Sequence, residues 1–520
     1  MAKILVTEKL AESGLEAMRA AGHDVDVQLE WTPESLLEII QGKDALVVRS
    51  ATKVTEDVIK AGKDLKVVGR AGVGLDNVDT NAATKLGVMV VNAPESNIIS
   101  AAEHAVALLL SQARNIPQSH GALVQGRWER SKWEGVELFG KTVGIVGLGR
   151  IGALVAQRLS GFGVKLVGYD PYISEDRAKK YSIELLPLEQ LVQVADFVTI
   201  HLPKTKETAG LFGKELLSKV KPGIRIVNAA RGGIIDEESL AEAIREGRVA
   251  GAALDVFAKE PPTESPLLEL PSVVVTPHLG ASTGEAQDKA GEQIAEQIIL
   301  ALAGDFVPYA VNIAAKSISE QARPYLAVAE QLGHFIAGLF DRLPNELEVE
   351  YQGLLAGEEV SMLTLSVLKG VFAGATEEPV SYVNAPQLAS EHGLEIREIQ
   401  STTTKGRTSL ITVRGAGHEV AGTLGSDELP RIVSVDGHSI EVPPAPFMLV
   451  VRNNDEPGMI GVVGTILGNA DISIKNMAVG QTAGDKTALM VLSTDPVASE
   501  QIIEALRKAK GILEVHQIIS

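Results

Sequence analysis

Cysteine is absent from this 520-residue chain, which removes disulfides, thiolate metal ligands and cysteine nucleophiles at once; no metal site is indicated. Positive charge is in deficit: 48 Lys and Arg stand against 67 Asp and Glu, a net charge of −19. That balance excludes nucleic acid as a partner, because a phosphate backbone is held by clustered cations. If the substrate is anionic, a few local arginines must overcome the field. Aromatic residues are scarce at 4%, while 45% of the chain is hydrophobic and 22% charged, the composition of a soluble α/β protein. No run approaches eighteen apolar residues, and the start MAKILVTEKL lacks the apolar core and cleavage site of a signal peptide. The expectation is a cytoplasmic protein with no membrane partner, built from three or four domains.

From Lys3 to Gly74, short apolar runs (KILVT, ALVVRS, LKVVGRAG) alternate with helical stretches, the rhythm of a parallel sheet. The amphipathic segment SAAEHAVALLLSQARN leads to a second series that starts at KTVGIVGLGRIG and continues through KLVGYD, DFVTIHLP, RIVNAARGG, AGAALDVF and VVVTPHLG. Gly284 to Gly304 reads as a helix and Val307 to Asn312 as an extended return, both assigned back to the first domain. After Ser317, a helical stretch through Arg342 precedes glycine-rich strand patterns (LEVEY, LEIREIQ, SLITVRG, RIVSVDGHSIEV), an α+β module. Beyond a PPAPF linker the order is βαββαβ, the ferredoxin-like unit.

In TVGIVGLGRIG a strand runs directly into Gly147, Gly149 and Gly152, with a helix following. The first glycine permits a tight turn, the second admits a pyrophosphate to the backbone, and the third lets helix and strand pack closely. The next strand ends in Asp170, about 20 residues on, where a carboxylate accepts hydrogen bonds from an adenosine ribose. The pattern predicts NAD rather than NADP.

Oxidising a secondary alcohol requires a base for the hydroxyl proton, a cation for the substrate and a cofactor alongside. Charged residues stand just past successive strand ends: Arg231 after RIVNAA, Asp255 and Glu260 after AGAAL, and His278 after VVVTP. Ligands of open parallel sheets gather at those carboxyl ends, so the residues can converge. His278 is predicted as the acid-base group, Glu260 as its partner, and Arg231 as a fork for a substrate carboxylate.

GLGRIG, NAARGG, ALDVFAKEPP and PHLGAST together resemble the D-isomer-specific 2-hydroxyacid dehydrogenases. The resemblance implies the same roles for Arg231, Glu260 and His278. It also implies Arg150, Ile151, Asp170, Asp255, Val73, Ala229, Gly280 and Ala281 around NAD, joined there by the glycines, Arg231 and His278. RSATKV, VGRAGVGLDNVD, SNIISAAEHAVALLL and GRWER resemble the branch of that family acting on 3-phospho-D-glycerate, at the entry to phosphorylated L-serine biosynthesis. By that likeness Arg49, Arg70, Asn97 and Arg130 meet the substrate, and guanidinium forks suit its phosphate. The last two modules resemble an intervening domain and an ACT domain, with NNDEPGMIG as the ACT turn. Asn453, Asp455 and Ser473 then occupy the places where relatives bind L-serine, although Ser473 stands where asparagine is common.

The fold expected is α/β: two doubly wound parallel-sheet domains, then an α+β intervening domain and a ferredoxin-like ACT domain. The boundaries are 1–98 with 284–316 for substrate, 99–283 for NAD, 317–445 and 446–520, with hinges near residues 98–100 and 283–290. The resemblance implies a homotetramer. A relative acting on glyoxylate, hydroxypyruvate or another unphosphorylated acid is the nearest rival, separated by its indifference to the phosphate. A non-catalytic NAD(H)-sensing protein is the other, and it has no need of Arg231, Glu260 and His278 together.

Overall fold

In the computed structural model, which describes every residue except 316, 376–379, 405–406, 482–486, 520 and the side chain of Gln481, the first apolar runs form a five-stranded parallel sheet. Its strands are β1 (Lys3–Val6), β2 (Asp24–Val27), β3 (Ala45–Val48), β4 (Val67–Arg70) and β5 (Met89–Asn92), in the order β2-β1-β3-β4-β5. Every residue of β3 and β5 is buried, as a sheet covered on both faces requires. The helix Gly284–Ala303 returns to this sheet and crosses the helix Glu12–Ala20. Only glycine fits at the crossing: a Cβ on Gly14 would lie 2.6 Å from the Gly291 carbonyl oxygen. Past that helix, the segment 307–312 runs along β5 without forming a strand. It makes one antiparallel bridge, Val91 to Ala310, and Asn312 accepts from the Val90 amide at 2.8 Å. The expected boundary at residue 316 falls outside the described residues.

The second series forms a seven-stranded parallel sheet: β6 (Thr142–Val146), β7 (Lys165–Tyr169), β8 (Glu184–Leu185), β9 (Phe197–Ile200), β10 (Ile224–Asn228), β11 (Val249–Leu254) and β12 (Val273–Val275). The order β12-β11-β10-β9-β6-β7-β8 reverses between β6 and β9, which opens a crevice at their carboxyl ends. The helix Ile98–Ala113 follows the first sheet and packs on β10, β11 and β12.

The third sheet is mixed: β13 (Glu346–Gly353), β14 (Glu395–Ser401), β15 (Ser409–Gly415), β16 (His418–Leu424), β17 (Pro430–Val435) and β18 (His438–Val442), ordered β14-β13-β15-β16-β17-β18. Its helix ends at Ala337, short of the expected Arg342, where Gly338 caps it. A second helix, Ser361–Ala375, has no counterpart in the sequence reading because it is apolar nearly all round. The two helices touch backbone to backbone, since a Cβ on Gly333 would lie 2.1 Å from the Val367 carbonyl oxygen.

The last sheet, β19 (Phe447–Asn454), β20 (Ser473–Gln481), β21 (Thr487–Asp495) and β22 (Ile512–Ile519), is antiparallel in the order β20-β21-β19-β22, with helices Met459–Asn469 and Glu500–Arg507 in the βαββαβ places. Leu449, Val451, Met490 and Leu492 pack under those helices. The alternate residues Met448, Val450, Leu489 and Val491 face the other way, into an apolar core that runs through the helix Leu326–Ala337 to Val91 of β5 and Ile294. Among the described residues, no helix is long and apolar enough to cross a membrane.

Candidate active site

The carboxyl ends of both parallel sheets face one cleft with a volume of about 260 Å³, and the two domains furnish opposite walls. The first contributes Lys9 beyond β1, Arg49 beyond β3, Arg70 at the end of β4, Val73, and Asn97 beyond β5; the second contributes Arg231, Glu260, His278 and Ala281. Side chains as far apart in the chain as Lys9 and Ala281 meet because each follows a strand end.

His278 Nδ1 lies 2.8 Å from Glu260 Oε2, and Glu260 Oε1 accepts the Phe257 amide at 3.1 Å. The second bond fixes the carboxylate, and the carboxylate in turn fixes the ring with Nε2 free of that contact. His278 is half exposed, so its ring is open to the cleft. Its backbone is left-handed, φ +56°, a conformation costly for a residue with a side chain and one that its surroundings must impose.

On the opposite wall stand Arg49 and Arg70, and Arg231 joins them from the histidine's own domain. Burial, and then the proximity of Arg231, lower the proton affinity of Arg70 from its ordinary value, against the opposing pull of Asp76 and Glu8. Gly72 makes the closest approach, as a Cβ there would fall 1.8 Å from Arg70 Nη1. Arg231 Nη1 donates to the Ala230 carbonyl at 2.7 Å, and Asn228 ties the turn at both Ala230 and Arg231. Two buried polar atoms of this wall, Asn97 Oδ1 and Arg70 Nε, have no partner among the described residues, which leaves one acceptor and one donor for a ligand. Lys9 has no place in the sequence reading, yet the rule that singled out Arg231 and His278, a charged residue just past a parallel strand, would have found it.

The glycine-rich turn fits a dinucleotide. Gly147 has φ +97°, and a Cβ on it would meet His201 backbone at 2.8 Å. Gly149 stands at the amino end of the helix Arg150–Ser160, and a Cβ on Gly152 would lie 2.0 Å from the Gly147 oxygen. Asp170 accepts the amides of Leu148 at 2.8 Å and Tyr172 at 2.9 Å, which shapes the turn while leaving lone pairs for a ribose. Arg150 reaches back to Glu95 of the first domain at 2.5 Å, and Ile151 packs into the core beneath with Ala229. Asp255 is fully buried. Burial raises its proton affinity, but hydrogen bonds from His104, Thr276 and the Leu279 amide outweigh it and hold the carboxyl below its usual range. Gly280 donates its amide to the same carboxylate at 2.8 Å.

His201, at the end of β9, is enclosed enough that burial pushes it down to about 4. Between about pH 4 and 6.5 the native state therefore binds fewer protons than the unfolded chain, so stability is full above 6.5 and falls as the pH is lowered. His201→Gln should reduce the stability loss across that interval by about 2 kcal/mol, discounted for the ring's residual exposure. Calorimetric melting at pH 7 and pH 5 checks this; an unchanged difference between the two would exclude His201 as the source.

Two groups of predicted residues lie elsewhere. Arg130 is exposed on the short turn Arg130–Lys132, outside the cleft of its own chain. Asn453 is buried in the last sheet, where its amide donates to the Ala488 carbonyl at 3.1 Å, while Ser473 is exposed at the start of β20 and Asp455 follows the end of β19.

Comparisons with known proteins show what the chain is similar to. Residues 106–280 match the NAD-binding domain of D-isomer-specific 2-hydroxyacid dehydrogenases, 321–436 the D-3-phosphoglycerate dehydrogenase intervening domain, and 447–511 the ACT domain. The chain is 48% identical over 514 residues to D-3-phosphoglycerate dehydrogenase of Mycobacterium tuberculosis, covering 97% of each. To that of Bacillus subtilis it is 40% identical over 524 residues, covering 100% of this chain and 99% of the other. Among solved structures, a glyoxylate reductase from Paecilomyes thermophila superposes with a TM-score of 0.53 at 27% identity, over 58% of this chain and 95% of that one.

Proposed function

The chain belongs to the D-3-phosphoglycerate dehydrogenases within the D-isomer-specific 2-hydroxyacid dehydrogenases, and from that premise we propose that it oxidises 3-phospho-D-glycerate with NAD, at a site formed by His278, Glu260 and the cleft arginines. The products are 3-phosphooxypyruvate, NADH and a proton, and the reaction opens phosphorylated L-serine biosynthesis. The observation that carries the site assignment is the 2.8 Å contact of His278 with Glu260 facing Arg49 and Arg70 across one cleft, with Arg231 on its own side.

The turn of Gly147, Gly149 and Gly152, with Asp170 at the ribose, would hold NAD, which when bound would supply the acceptor for the C2 hydride. His278 Nε2 takes the C2 hydroxyl proton as the carbonyl forms, and Glu260 offsets the charge that this places on the imidazole. Arg231 grips the C1 carboxylate, which fixes C2 and polarises its oxygen. Arg49 and Arg70 meet the phosphate, whose two negative charges relieve the repulsion among the guanidiniums. Asn97 orients the substrate through its unpartnered oxygen.

The test is NADH formation with 3-phospho-D-glycerate beside D-glycerate. We expect kcat/KM to fall by about 10³-fold without the phosphate, the loss of roughly 4 kcal/mol of charged hydrogen bonding. Equal rates would favour an enzyme for unphosphorylated acids. Adding L-serine to the same assay reads the ACT domain: inhibition supports Asn453, Asp455 and Ser473 as its site, and indifference removes them. Ile116, Leu123, Val124, Trp128 and Phe139 are exposed around the turn bearing Arg130, which supports a homotetramer in which a second copy covers them. A monomer by sedimentation in the assay buffer would reject it.

A further inference from the structure

Helix Ile98–Ala113 touches the segment bearing the catalytic histidine at two places. Ser100 Oγ lies 2.8 Å from Thr283 Oγ1, and His104 Nε2 lies 3.1 Å from Thr276 Oγ1. Ser100 and His104 are four residues apart and so share one helix face. Residues 276–283 are thus stitched to the helix at both ends, with His278 between the stitches.

The middle of the segment hangs on Asp255. Its Oδ1 accepts Thr276 Oγ1 at 2.6 Å and the Leu279 amide at 2.7 Å; its Oδ2 accepts the Gly280 amide at 2.8 Å. The Asp255 carbonyl accepts the amide of His278 itself at 2.9 Å. Three bonds that shape the turn therefore converge on one buried carboxylate, and such a group needs donors to stay where it is. His104 Nε2, 3.1 Å from Asp255 Oδ1, brings a ring nitrogen to it from the helix that leads out of the substrate-binding wall.

We propose that His104 is a positioning residue: through Asp255 and Thr276 it holds the turn that keeps His278 in its left-handed conformation and aims the ring into the cleft. It does not line the cleft, and its effect passes through the buried carboxylate and the Thr276 hydroxyl. Because the helix starts at Asn97, the same contact ties the position of the substrate wall to the orientation of the base. The inference rests on His278 being the acid-base group.

The experiment compares His104→Leu with His104→Gln, whose amide nitrogen can restore the donor. In the leucine variant kcat should fall about tenfold or more while KM for both substrates stays within about twofold, and the glutamine variant should recover most of the rate. Peptide-resolved labelling with diethyl pyrocarbonate reads the turn directly: the rate at His278 should rise several-fold in the leucine variant and stay at the wild-type value with glutamine. A leucine variant with wild-type kcat and labelling, or a glutamine variant as slow as leucine, overturns the proposal. If the leucine variant does not fold, Thr276→Val removes the shared hydroxyl and should give the same two readouts. Wild-type protein that fails to oxidise 3-phospho-D-glycerate would defeat the functional reading instead, and the labelling would still decide the role of His104.

Discussion

Replacing His278 with alanine should lower kcat by about 10³-fold and leave NADH affinity within about a factor of two. A positioned base contributes roughly 10² to 10⁴ in rate, and His278 is the group whose ring opens on the cleft with a carboxylate fixed behind it. The substitution is mild for the fold. The side chain is half exposed, and the backbone bonds that hold the turn belong to Asp255 and remain. Steady-state NADH formation, with NADH binding followed by fluorescence, separates chemistry from cofactor affinity. Activity within tenfold of wild type would mean that another group takes the proton.

The second large effect is expected at Arg231, where alanine should lower kcat/KM by about 10³-fold, in line with the 3–5 kcal/mol lost when one partner of an enclosed charge pair is removed. Arg231→Lys should recover little of it, because an ammonium cannot reproduce the two-pronged contact with a carboxylate. The same substitution should not destabilise the ligand-free protein. Arg231 lowers the proton affinity of its neighbour Arg70, so removing it relieves repulsion, and the melting temperature should hold or rise. An activity loss accompanied by a lower melting temperature, or full rescue by lysine, would place Arg231 in a structural role.

Much of this site was legible in the sequence because parallel sheets convert position into function: a polar residue just past an apolar run stands at the mouth of the cleft. Arg231, Glu260 and His278 obeyed that rule, and the glycine turn carried its own spacing. What the sequence concealed were side chains whose partners are distant in the chain. His104 looks like a polar residue in an apolar helix until Asp255 and Thr276 meet it from far along the chain, Thr276 from 172 residues away. Asp255 itself reads as a cofactor ligand by its motif, while its neighbours are Thr276, His104 and the amides of Leu279 and Gly280. In the fold, β2 escaped because DVDV carries acids at an edge, where no second neighbour demands an apolar face. The helix Ser361–Ala375 escaped for the opposite reason, having no polar face to mark its period.

The uninterrupted apolar core from β5 through the helix Leu326–Ala337 to the far face of the last sheet makes three of the four domains a single mechanical body. The dinucleotide domain keeps its own two cores. The cleft is then a jaw with one long handle. A ligand that tilted the terminal module would need no wire of side chains to reach Arg49 and Arg70, some 400 residues earlier in the chain, because it would turn the wall on which they stand.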